Sequence, residues 1–384
     1  MEYPCFSDDE FYRRHQEVRA RMAANNVEVL VMFGSGRSPN IHYLSNWLST
    51  REAHLIFPAV GEGTLFIQLS NHVETAARMA ILNDVRFGGR SASGLPSSIE
   101  RVTEELIARG YGETRIGIVG PLPFQQYSYL RDHMEHADFV EFTHVLNQLR
   151  QRKSAEEIER IREASELADL SIVALKEQLR PGLTGYDIVK ILEDSYLSKG
   201  GTNGIHYFLC TAMSDPNICI PSQYPTSRTV ELGDVCVLEI SVDLFGYSGQ
   251  VLRTFVVGEG PSPLYAELFE VARDTFEGIR AVLRAGATVA DVVAVSDVID
   301  SRGFSLGDDL LHGAGQLPPI VRTRQTSSGQ NEGFRFEEDM CVVIQPNVIN
   351  KERTAGVQYG EMVHITGAGN RRLHAAEEGL LVCP

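Results

Sequence analysis

The sequence predicts an α+β protein of two domains: an α/β domain over residues 1–150 and a pseudo-twofold domain over residues 151–384. Three observations predict it. Apolar strand-like runs alternate with helix-period segments up to about residue 145. At Ser154-Ala155-Glu156-Glu157 the pattern changes to a capping box opening a long helix, with Ser154 as N-cap and Glu157 three residues on. Beyond it LRPGLTGYDIV (179–189) is echoed by LRAGATVADVV (283–293), each preceded and followed by helical pattern, so the second domain is built from two related halves.

The elements follow in order. Residues 8–25 carry helical spacing that ends at Asn25-Asn26, and VEVLVMF (27–33) reads as a buried strand. AHLIFPAV (53–60) and GTLFIQL (63–69) are strands divided by Gly61-Glu62-Gly63. Helices are expected near 72–83 and 96–109, and a strand at RIGIVG (115–120). The capped helix runs to about Leu179, with Ile158, Ile161, Ala164, Ala168 and Ile172 on its apolar face, and stops at Arg180-Pro181-Gly182. Four strands then carry the second domain: CVLEISVDL (236–244), QVLRTFVVG (250–258), MCVVIQPNV (340–348) and GEMVHITG (360–367).

Composition narrows the function. Lys and Arg number 35 against 51 Asp and Glu, a formal charge of −16, and no basic run stands out. Such a chain is a poor ligand for nucleic acid phosphates or anionic membranes. No apolar stretch approaches the ~18 residues of a membrane span. MEYPCFSDDEFYRRHQ lacks the apolar core of a secretory leader, so a cytoplasmic protein is expected. The six cysteines form no CxxC pair and point to neither a zinc ribbon nor a disulfide framework.

Several segments resemble the creatinase, prolidase and methionine aminopeptidase family, peptidase family M24, with its pita-bread fold. NIHYLSNW (40–47) and REAHLIFP (51–58) are similar to the N-terminal creatinase-like domain of the prolidase and creatinase branch, and RKSAEEIERIREA (152–164) to its inter-domain helix. ELGDVCVLEISVDLFGYSGQVLRTFVVG (231–258), LHGAGQL (311–317), MCVVIQPNV (340–348) and QYGEMVHIT (358–366) resemble the strands and turns of its active site. The family's peptidases bind two divalent metals through two Asp, one His and two Glu. By the resemblance those positions fall here on Glu239, Gln250, His312, Gln345 and Glu361.

Two of these five are neutral amides, which are weak metal ligands and remove two negative charges from the site. A metal-free site is therefore expected, like that of creatinase, with a single cation on Glu239, His312 and Glu361 as the alternative. Pro221 is followed by Ser222 where a family His is common, and Pro319 replaces a second His. The resemblance further implies that Arg51, acting across a homodimer interface, and Arg322 or Arg324 clamp a substrate carboxylate, for which guanidinium forks are suited.

The expected function is thus metal-independent hydrolysis of a C–N bond in a small carboxylate-bearing nitrogen compound of amidino, amidine or lactam type, with no cofactor. Glu239, His312 and Glu361 would move protons; Gln250, Gln345 and Ser222 would contact substrate. Elimination or cyclisation could use the same groups. The alternatives are an Xaa-Pro metallopeptidase with a degenerate one-metal site, and a binding protein that kept only the fold. Each site residue also has a plainer reading: Glu239 a strand carboxylate facing solvent, Gln345 a satisfied core amide, the arginines partners in salt bridges. The polar stretch 322–331 reads as a surface loop or as a lid.

Overall fold

The computed structural model describes residues 3–89, 98–327, 331 and 333–384. It divides into two units, Met1–Arg150 and Gln151–Pro384.

The first unit is an α/β layer structure. In chain order it runs α1 (Asp8–Ala24), β1 (Val29–Gly34), α2 (Pro39–Ser45), β2 (Ala53–Pro58), β3 (Thr64–Ile67), α3 (Val73–Met79), β4 (Asp84–Phe87), α4 (Ile99–Ala108), β5 (Arg115–Val119), α5 (Phe124–His133) and β6 (Asp138–Glu141), with α6 (Thr143–Gln151) at its end. The strands form one mixed sheet in the order β4-β3-β2-β1-β5-β6. Every residue of β1 and β2 is buried, as expected of central strands covered on both faces. One face packs Leu30, Met32 and Leu55 under Val18, Met22 and Leu44; the other packs Val29, Val31 and Ile56 under Ile99, Leu106 and Leu130. The helix expected over 96–109 begins at Ile99, and residues 96–97 lie outside the described residues.

The second unit opens as the capping box requires. Ser154 Oγ accepts the Glu157 N–H, and the Glu157 carboxylate accepts the Ser154 N–H, starting α7 (Ala155–Gln178). It continues through α8 (Gly185–Tyr196), β7 (Thr202–Ala212), β8 (Asp234–Leu244), β9 (Tyr247–Val257), α9 (Pro263–Val282), α10 (Val289–Val295), α11 (Asp297–Ser301), β10 (Ser305–Leu306), β11 (Leu311–Gly313) and β12 (Leu317–Val321). The last elements are β13 (Cys341–Ile344), β14 (Asn347–Ile349), β15 (Gly356–Gln358), β16 (Gly360–Thr366), β17 (Gly369–Arg372) and β18 (Leu381–Cys383).

The sequence repeat is a structural repeat. Thr184 and Thr288 each cap a helix by a reciprocal box, with Asp187 and Asp291 respectively. Gly182 and Gly286, matched in the repeat, both hold the left-handed backbone (φ +96° and +88°) that glycine adopts without penalty. Thr184 bridges to Thr229 as Thr288 does to Arg335. The expected α+β architecture with two related halves is what the chain forms.

A large sheet in the order β12-β11-β13-β16-β9-β8-β7 carries the unit, with β17 beside β16 and β18 beside β9, and a small sheet β10-β14-β15 adjoins it. One apolar cluster joins α7 and α8 to Leu238, Ile240, Val251 and Phe255; another joins α9 and its neighbours to Val342, Ile344, Val363 and Ile365. No helix among the described residues is long and apolar enough to cross a membrane.

Candidate active site

Strand register sorts the candidate residues by face. Glu239 on β8 stands opposite Leu252 on β9, and Leu252 stands opposite Gly360 on β16. Directly opposed residues share a face, and residues two apart along a strand share it too. Glu239, Gln250, Leu252 and Gly360 therefore belong to one face of the sheet. Gln345, one residue past the Ile344–Glu361 pair, turns to that same face, and Gln358 does so two residues before Gly360.

On that face the polar side chains form a hydrogen-bonded chain. The Gln250 amide donates to Glu239 Oε1 at 3.0 Å and to Gln345 Oε1 at 3.1 Å. His312 Nε2 lies 3.1 Å from the same Gln345 oxygen, and its Nδ1 lies 2.9 Å from the Gly313 carbonyl. Both ring nitrogens thus face oxygens. Gln358 donates to Glu239 Oε2 at 3.4 Å. All five side chains are buried, Glu239 at 5% exposure.

Burial is the main cause of Glu239's shift: desolvation pushes its carboxyl up to about 7, the charge of Asp308 adds to this, and the Gln358 hydrogen bond opposes it. Asp309 is also lifted by burial, against the pull of Arg322. A carboxyl poised near neutrality can take up or give off a proton near pH 7.

Glu361 requires a correction. It stands opposite Val251 and Ile344, on the other face of the sheet from Glu239. There it accepts hydrogen bonds from Arg253 Nη2 at 2.7 Å and Arg372 Nη2 at 2.9 Å, and a second bond from Arg372 Nε. Burial alone would raise its carboxyl, but Arg372 and Arg253 outweigh that and hold it below the ordinary value. A group locked between two guanidiniums on the wrong face is no proton carrier for the cleft. The strand position that faces the site is Gly360, and a Cβ there would fall 2.0 Å from the Ile344 carbonyl oxygen.

Other expected residues also change standing. Ser222 bridges to Phe208, the neighbour of Tyr207, whereas Tyr207 is the residue opposite Glu239. Its hydroxyl accepts the Tyr224 N–H instead. Arg322 donates from Nε to Asp309 at 2.6 Å, and Asp309 is near enough to His312 to feel its charge. Arg324 pairs with Asp297 at the surface. Arg51 is an exposed residue of the first unit. Gln250 commits its amide hydrogens to Glu239 and Gln345, so it positions these groups and does not donate to substrate. The loop 322–331 has residues 328–330 outside the described residues.

Sequence reasoning missed Arg253, Arg372, Gln358 and Asp308. A signal existed for Arg253: it interrupts the apolar run VLRTFVV as Glu239 interrupts VCVLEISV, and such a charge in a buried strand needs a buried partner.

The chain's second unit matches the metallopeptidase family M24 over residues 159–367, more than half of the sequence. It belongs to that family. Residues 14–152 match the creatinase/prolidase N-terminal domain, so the first unit is creatinase-like and the second is the pita-bread domain the sequence resembled. Among curated relatives, methionine aminopeptidase A of a Synechocystis strain is 28% identical over 185 residues, covering 45% of this chain and 71% of that protein. The Xaa-Pro dipeptidase of Pyrococcus furiosus is 24% identical, over 56% of this chain and 60% of its own length. The dipeptidase PepE of Mycobacterium ulcerans superposes with a TM-score of 0.82 at 20% identity, over 99% of this chain and 100% of that one. The prolidase of Pyrococcus horikoshii gives 0.80 at 20% identity, over 96% and 99%.

The family's metal pair does not fit the donors on this face. Glu239 is the one carboxylate in the hydrogen-bonded chain, Gln250 and Gln345 are amides tied to each other, and Gly360 offers no side chain. Among the described residues no group of three or more His, Cys, Asp and Glu is placed to hold a metal ion. Hard divalent cations are held by carboxylate charge, and a single carboxylate beside an imidazole does not balance two of them.

Proposed function

We propose that this M24 protein is a metal-independent hydrolase of a C–N bond in a small substrate, worked by Glu239 as base and His312 as acid. The observation that supports it is the chain Glu239–Gln250–Gln345–His312, with Glu239 held near neutrality by burial. Glu239 would take a proton from the attacking water while His312 donates one to the departing nitrogen. Gln358 fixes the free oxygen of Glu239. Arg322 would offer a fork to a substrate carboxylate, which would have to compete with Asp309 for its Nε. Arg51 would reach such a group across a homodimer interface.

The relatives bear on the substrate. Their names are aminopeptidases and dipeptidases, so dipeptides, Xaa-Pro ones included, come before amidino or lactam acids as test compounds. These names also favour a second reading, a metal-assisted Xaa-Pro dipeptidase. One assay separates the two: chelator-treated protein and Mn²⁺- or Co²⁺-supplemented protein are offered the same panel, beside Glu239→Gln. Hydrolysis that survives chelation and disappears in the variant supports the metal-free reading. Hydrolysis only after metal addition overturns it in favour of the second.

A further inference from the structure

Cys210 on β7 and Cys236 on β8 are direct cross-strand partners, and their sulfurs are 3.5 Å apart. The Phe208 N–H and C=O are bonded to Ser222, on the side away from β8. By the two-residue period of a strand, the same groups of Cys210 also point away from β8. The Cys210–Cys236 pair is thus of the non-hydrogen-bonded kind, whose Cα atoms approach to ~4.5 Å, inside the range a disulfide spans.

The surroundings distinguish the two sulfurs. Arg228 Nη1 donates to Cys210 Sγ at 2.8 Å, and Asp234 holds the same guanidinium at 2.6 and 2.9 Å. Cys210 S–H lies 3.3 Å from Asp234 Oδ2. Cys210 is buried but keeps 9% exposure beside the partly exposed Arg228, while Cys236 has none, so a small reagent meets Cys210 first. Cys236 is hydrogen-bonded to Cys210 and buried, which pushes its thiol well above the ordinary value. An odd separation of three residues turns Cys236 away from Glu239, so this pair is separate from the active-site face.

We propose that Cys210 and Cys236 form a reversible dithiol–disulfide site, oxidised by hydrogen peroxide. Cys210 sulfur attacks a peroxide oxygen; the O–O bond breaks, giving a sulfenic acid and one water. Cys236 sulfur then attacks Cys210 sulfur; the S–S bond forms, the S–O bond breaks, and a second water leaves with the thiol proton. The two sulfurs lose two electrons, and the peroxide gains them. Closure moves the sulfurs from 3.5 Å to about 2.05 Å, a shift side-chain rotation supplies.

The test uses the full chain. It is treated with hydrogen peroxide, denatured in iodoacetamide and mapped by mass spectrometry, with and without dithiothreitol. The expected result is a linked Cys210–Cys236 peptide, loss of both alkylatable thiols, and their return on reduction. In Cys236→Ser, Cys210 stops as a sulfenic acid trapped by dimedone. Arg228→Gln, which removes the N–H donor 2.8 Å from the Cys210 sulfur, forms the disulfide at least severalfold more slowly. Both cysteines remaining alkylatable after the less buried Cys5 is oxidised would overturn the proposal. So would sulfinic acids with no linked peptide, or an Arg228→Gln rate equal to that of the unaltered chain.

Discussion

Glu239 and Glu361 are two buried carboxylates on opposite faces of one sheet, and their electrostatic surroundings are opposite as well. Glu239 has amide neighbours and a nearby Asp308, so its carboxyl is pushed up to about 7. Glu361 has Arg253 and Arg372, which hold its carboxyl down. The single-residue step from Gly360 to Glu361 decides which chemistry each face has. The site face carries the raised carboxyl of Glu239, and the far face carries Glu361 paired with two guanidiniums.

Glu361→Gln is expected to cost stability, leaving the chemistry to Glu239 and His312. Removing one member of a buried ion cluster leaves guanidinium charge uncompensated, on the order of 3 kcal/mol. The sign with pH follows from the lowered carboxyl. Its stabilisation is present above the unfolded value of 4.5 and is lost as pH falls through the lower folded value. Urea midpoints at pH 7 and pH 4 should therefore converge between the unaltered protein and the variant as pH drops. A variant with full stability and lost turnover would return Glu361 to the active site.

Glu239 predicts the reverse. In its proposed role as base it must be ionised, so turnover should rise with pH through about 7 and vanish in Glu239→Gln. Its raised carboxyl favours folding below the unfolded value of 4.5, and that contribution is lost as pH rises toward 7. Glu239→Gln should consequently be the more stable protein at pH 8, by up to about 3 kcal/mol. Equal midpoints at pH 8 would show that the carboxyl titrates in its ordinary range.

Much of the scaffold was legible in the sequence because its signals are local. The Ser154–Glu157 box, the Thr184 and Thr288 repeat and the β8–β9 run are short-range patterns, and each formed as read. Site membership was less legible because a strand reverses face at every residue. QYGEMVHIT contains a single Glu, so the family pattern drew attention to it, yet register places Gly360 on the site face. Gln358 was hidden for a different reason: its link to Glu239 crosses 119 residues. The Cys210–Cys236 pair likewise emerges from β7–β8 register and from no sequence motif.

The missing ligand charge can be restored in part. In Gln250→Asp/Gln345→Glu, two carboxylates join Glu239 and His312, and Mn²⁺ or Co²⁺ affinity measured by calorimetry should rise at least about tenfold. The gap at Gly360 remains, since a side chain there meets the Ile344 carbonyl. One bound ion is therefore expected in place of a pair. Tight binding by the unaltered chain, or none by the double variant, would show that charge at these positions does not set affinity.

Gln358 offers the finest test of how Glu239 is tuned. Its amide donates to Glu239 Oε2 and is the contact that pulls the carboxyl back toward its ordinary value against burial and Asp308. Gln358→Leu puts a shorter apolar side chain there and removes the donor. The charged form of Glu239 then loses a hydrogen bond while desolvation is unchanged or greater, so its proton should be held more tightly. The rising limb of the pH–rate profile should move to higher pH by a fraction of a unit up to about one unit. Rates on the plateau above it should change little, because the base is fully ionised there in both proteins. A limb that moves to lower pH would mean that Gln358 acts on Glu239 chiefly by displacing water.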